Sequence, residues 1–201
     1  MRMAFATAVV VLLGGCSSLS VSNLGEPPVI NTNSISLIDK RTAEQKERRR
    51  DSVMSPLVVL GDANVKPPAI LFLQSSLQKH QKQASSLSVE IDEFYIIDFF
   101  PARLNAATNS SGWLTDAVVK QIIRSNTDWK FVNDIGVPIG GDSIVCLFSG
   151  TINGRAVKAA AYHQYHASPM AISIRNDPAF TNAVGLAIDK AASEILSQVE
   201  N

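Results

Sequence analysis

Two cysteines, three histidines and a scatter of carboxylates are the groups through which this 201-residue chain could do chemistry. His163 and His166 stand three apart in "HQYH". That spacing on a strand sends them to opposite faces, so they cannot chelate one ion without distortion. His80 is the remaining imidazole and no cysteine pair accompanies it, so neither a metal nor a cofactor is expected. Cys146 lies in an alternating apolar run and reads as a buried structural thiol, since a nucleophile needs an exposed site and an activating base. "GGDS" at 140–143 has glycines but opens no helix to hold a phosphate. Asp92, Glu93 and Asp98 fall on mixed faces, which gives no paired-carboxylate geometry. Ser110 and Ser111 lack a Gly-x-Ser-x-Gly elbow. These groups predict a protein that is not an enzyme.

The elements around those residues are more readily read. "SISLIDKR" alternates at Ile35 and Leu37, as a half-buried strand does, and "PLVVL" (56–60) is a second strand closed by Gly61-Asp62. Pro67-Pro68 precede a helix over 68–83 that carries Ile70, Leu73 and Leu77 on one face. "SLSVEIDEFYIIDFF" (86–100) is the longest strand signal, with a change of apolar parity at Glu93-Phe94 that predicts a bulge. Asn153-Gly154 between two alternating runs predicts a two-residue hairpin in which Cys146 faces Ala161 and Ile144 faces His163. Asn176 or Asp177 caps a last helix over 178–199, striped by Val184, Ile188, Ala191 and Ile195. The expected fold is therefore α+β: an antiparallel sheet of about five strands with two long helices on one face. An extra amphipathic helix over 114–124, with a Gly/Pro loop after it, sits in an insertion at 105–141.

Composition limits the partners. Hydrophobic residues make up 46% and charged residues 18%, with 18 of each sign. The chain as a whole presents no basic field, and nucleic acid is not an expected ligand. The local exceptions are the run Lys46, Arg48, Arg49, Arg50 and the polar face of the inserted helix, with Lys120 and Arg124. These six residues are the candidate partner-binding positions, against the plainer reading of solvated charge.

The first residues address the protein. Arg2, a short apolar run to Leu13, and Gly14-Gly15 before Cys16 have the layout of a secretory signal, too short to span a bilayer. Leu-x-Gly-Cys resembles the bacterial lipobox, in which the thiol takes diacylglycerol and the chain is cut before the cysteine. Serine after the cysteine implies, by resemblance to Gram-negative sorting, the outer membrane. Residues 1–15 are then a signal peptide and 16–33 a lipidated cysteine with a flexible tether. Residues 34–201 form a single periplasmic domain. Residues 17–33 reach at most about 55 Å. Cleavage leaves the mature chain nearly neutral, so attachment would rest on the acyl chains and not on a basic face.

The order of these signals is similar to that of the YajG-type outer-membrane lipoproteins. The shared stretches are "LIDKR", "VVL", "SGTINGRAVKAAAYHQY" and "AVGLAIDKAASEIL", over about residues 34–100 and 143–199. The insertion at 105–141 departs from that pattern. The resemblance implies a cell-envelope lipoprotein and carries no catalytic signature. The expected function is an assembly or accessory factor that binds a protein partner at the outer membrane. The rivals are a carrier of a lipid or peptidoglycan fragment, with Phe94, Tyr95, Phe99 and Phe100 lining its cavity, and an envelope hydrolase.

Overall fold

The computed structural model describes residues 22–26, 29–30, 34–47, 56–82, 86–102, 121, 134–138, 141–166 and 177–200. The Asn-Gly hairpin is its most regular part. Strands β6 (Asp142–Ile152) and β7 (Arg155–Tyr165) pair antiparallel from Ile152↔Arg155 through Cys146↔Ala161 to Asp142↔Tyr165, in the expected register. Asn153 and Gly154 have φ of 50° and 79°, the positive values that this two-residue turn needs. Asn153 also binds Ser88 of the neighbouring strand, its N–H donating to the Ser88 carbonyl and its Oδ1 accepting from the Ser88 N–H, each at 2.8 Å.

Strand β5 (Leu87–Phe99) lies beside β6 and is the spine of the sheet. Up to Ile91 its odd residues face the helices. The register then shifts between Ile91 and Glu93, and Phe94 and Ile96 take over that face. The parity change in the sequence is this bulge, with Asp92 as the extra residue.

Two strands share the other edge of β5. Strand β2 (Ile35–Asp39) pairs with Leu87–Ile91 and β3 (Leu57–Leu60) with Ile96–Phe99. The sheet is mixed and not wholly antiparallel, because β2 runs parallel to β5. Its path to β5 is a crossover through β3 and α1 (Ala69–His80), long enough to return the chain in the same direction. Helix α1 starts after Pro68, whose ψ of 134° is not helical, and buries Ala69, Leu73 and Leu77. Helix α2 (Pro178–Ser197) is capped by Asp177, whose Oδ1 accepts from the Ala179 N–H at 2.9 Å. It buries Val184, Ile188, Ala191 and Ile195 completely. Ala159 and Ala161 on β7 give it a shallow floor. Lys190 and Gln198 reach from α2 to the Tyr162 and Lys158 carbonyls of β7, covering part of an edge that could otherwise pair with another chain.

Two features depart from expectation. A second, smaller core lies on the far face of the sheet, where Val137 and Ile135 pack over Leu57, Val59, Ile97, Phe99 and Val145. Part of the Gly/Pro loop is thus docked, because Ile135 and Val137 cover apolar surface left by β3 and β5. Within the expected tether, Ser22–Asn23 forms β1, parallel to β4 (Val65–Lys66). Leu24 follows it into the main core at 8% exposure. The expected third helix, 114–124, falls outside the described residues apart from Gln121.

Candidate functional site

Between the segments paired to β2 and β3, the edge of β5 has no strand partner among the described residues at positions 92–95. Side chains from the loop after β2 stand in. Gln45 Nε2 donates to the Asp92 carbonyl at 3.2 Å and Arg41 Nη1 to the Phe94 carbonyl at 3.3 Å. Gln45 is placed by Thr42: the Thr42 N–H donates to Gln45 Oε1 at 2.7 Å and the Gln45 N–H to Thr42 Oγ1 at 3.3 Å. This reciprocal pair opens the short 3-10 turn Glu44–Lys46.

Arg41 is the centre of the junction, with its side chain only 2% exposed. It grips Asp39 through Nε and Nη2, at 3.0 and 3.1 Å, and Asp62 through Nη1 and Nη2, at 3.1 and 3.0 Å. Its guanidinium carbon lies 5.7 Å from the centroid of the Phe94 ring. Lys46 joins from the turn, with Nζ 3.1 Å from Asp39 Oδ2. Burial works to raise the Asp39 carboxyl, but hydrogen bonds from Arg41 and Lys46 outweigh it and bring the group down to about 2. Two cations thus meet two carboxylates in one network. The arrangement locks β2, β3 and β5 together and holds no surplus charge for a ligand. The space beside it, between Arg41, Asp62 and Phe94, is about 10 Å³.

Of the candidate partner-binding residues, Lys46 is therefore a half-buried member of this network. Cys16, Arg48, Arg49, Arg50, Lys120 and Arg124 lie outside the described residues. The aromatics of β5 do not converge on one wall: Phe94 is in the main core and Phe99 in the far-face core, against which Tyr95 packs. His163 is half-buried on β7 and is held below its ordinary value by burial and then by the Lys190 ammonium. His80 Nε2 lies 3.1 Å from Asp189 of α2.

Cys146 is fully buried in the main core, and burial pushes its thiol well above the ordinary range. A thiol reagent such as DTNB will leave it unlabelled in the folded protein and titrate it fully in denaturant. Rapid labelling of the native protein would show that β6 opens on its own.

A groove of about 650 Å³ runs between the outer surfaces of α1 and α2, past Leu24, Gly25, Ser76, Lys79, Asn182 and Asp189. Lys79 and Asp189 are paired across it at 3.1 Å. It is lined by both polar and apolar groups.

None of the protein-family models, curated proteins or solved structures compared with this chain matches it. What the residues can do is read from the chain alone. Sequence reasoning missed the Arg41–Asp39–Asp62 junction, although "LIDKR" and Gly61-Asp62 both held its residues in view. The missed signal was an arginine closely following the end of an apolar strand, where the first full turn of solvent would be expected.

Proposed function

We propose that this chain is an outer-membrane lipoprotein, acylated at Cys16, whose periplasmic domain serves without catalysis as an accessory factor for a protein partner. The observation that carries the reading is Leu13-Gly14-Gly15-Cys16 behind Arg2 and an apolar run. No helix among the described residues is long and apolar enough to cross a membrane, and in this reading the acyl chains supply the attachment. The buried Cys146 and the mutually neutralised junction at Arg41 further support a domain that binds rather than reacts. The likeness to YajG-type lipoproteins belongs to the same proposal. The partner surface is the inserted segment, with Lys120 and Arg124, and next the run Arg48–Arg50, since Lys46 is engaged by Asp39.

Labelling with an alkyne fatty acid in a Gram-negative host tests the anchor. The natural chain will take up label in the outer-membrane fraction, while Cys16→Ser will accumulate as an unlabelled full-length precursor. Label on Cys16→Ser would overturn the reading. Photo-crosslinkers at Lys120 and Arg124 in intact cells will trap a discrete protein. Discrete products from other faces alone would refute this choice of surface.

A further inference from the structure

The tether is shorter than its sequence. β1 pairs with β4 as Ser22↔Val65 and Asn23↔Lys66, and the Leu24 N–H donates to the Lys66 carbonyl at 2.7 Å. The Leu24 side chain is buried with Val65 and Ala69 in the main core, and Gly25, at φ 95°, turns the chain away. The chain is therefore already fastened to the domain at residues 22–24, on its helical side, where Leu24 and Gly25 form part of the α1–α2 groove.

Six Cα–Cα steps separate Cys16 from Ser22 and span at most about 20 Å, against about 55 Å for a tether ending at residue 33. The headgroup layer takes about 6 Å of that. What is left is well under the width of the domain itself, about 30–40 Å for a body of this length. We infer that the acylated protein lies with its α1–α2 face against the periplasmic leaflet, and that residues 22–24 act as a clasp holding it there. The inference rests on acylation of Cys16. The charges of that face agree with a zwitterionic bilayer: Lys79 pairs with Asp189 and Lys82 with Glu200, so the surface has little net sign to repel or attract headgroups. Val29, five residues beyond Leu24, is 96% exposed and adds an apolar side chain to the same stretch. The opposite sheet face, with Lys40, Glu90 and Lys158, is then turned to the periplasm.

The test uses the acylated full-length protein in phosphatidylethanolamine-rich vesicles containing a lipid with a quencher on its headgroup. A fluorophore is placed at Asn182→Cys, in the groove, or at Lys158→Cys, on the far sheet face; Cys146 is buried and Cys16 blocked by lipid. The groove probe will be quenched several-fold more than the sheet probe, with the same ratio in high salt, because acyl chains and not charge hold the face down. Inserting about twelve Gly/Ser residues after Ser18 adds a coil of about 20 Å and will bring the two signals together while leaving the fold intact. The Leu24 amide will show slow hydrogen exchange in both forms. Equal quenching of the two probes in the uninserted, vesicle-bound protein, or fast exchange at Leu24, would overturn the clasp and leave the anchor standing. A protein that carries no lipid and stays off the vesicles would overturn both.

Discussion

Arg41→Ala will lower the stability of the domain by about 3 kcal/mol, seen as a lower urea midpoint at unchanged slope. The side chain is 2% exposed, and its removal strips Asp39 and Asp62 of their shared partner and the Phe94 carbonyl of its donor. The cost falls at the low end of what breaking a buried ion pair brings, because Asp39 and Asp62 keep 24% and 38% of their surface and can rehydrate. Arg41→Lys will recover less than half of it, since one ammonium cannot reproduce a fork that grips two carboxylates. The same network gives the domain an acid limb. Asp39 lies at about 2 in the fold against an ordinary 3.8, so its contribution is present above about pH 4 and fades as the pH falls toward 2. Discounted for solvent access, that contribution is about 1–2 kcal/mol. In Arg41→Ala the limb will flatten. A variant with the natural urea midpoint at both pH 7 and pH 3 would show that the junction does not hold the strands.

The parts legible in the sequence are those where one local rule fixes the geometry. Asn153-Gly154 needs positive φ at both positions, and period two then assigns every pair from Ile152↔Arg155 to Asp142↔Tyr165. Asp177 and Pro178 mark the start of α2, and Val184, Ile188, Ala191 and Ile195 mark its inner face. The rest depends on neighbours that periodicity does not name. Alternation at Ile35 and Leu37 says which face of β2 is buried, but not that its partner is the parallel start of β5. Lys46 looked like a free cation in a basic run because a turn, and not a regular spacing, brings it back to Asp39. Ser22–Asn23 is too short to carry a period, so a clasp two residues long reads as tether. Val137 lies in a stretch whose glycines and proline read as loop, and nothing local in the sequence names the second core that it covers. The candidate site was legible only as motifs. "LIDKR" was visible as a pattern, whereas the unpaired stretch of β5 that makes its arginine necessary exists only in three dimensions.

That same stretch of sheet sets the outcome for Gly150→Ala, which will destabilise the domain by about 3 kcal/mol. Gly150 faces Ile91 at the bulge, where Asp92 is the extra residue and the two backbones are drawn together. A Cβ there would stand well inside van der Waals contact of the Glu90 carbonyl oxygen and 3.1 Å from Phe148 Cζ. The obstacle is backbone, and it cannot retreat: this part of β5 is bonded to β2 on one side and β6 on the other. The strands must separate or the bulge must slip, and a slip by one residue would turn Phe94 and Ile96 out of the core. Gly185→Ala makes the contrast within one chain. Gly185 lies mid-way along α2, half-buried at the groove with nothing within 4 Å of the added methyl, so there the substitution will raise stability by about 0.5–1 kcal/mol through helix propensity. Urea titrations of the two variants should move in opposite directions from the natural chain. If Gly150→Ala stays close to it, the bulge has room to open, and the tight approach of β5 to β6 is not what sets the register of the sheet.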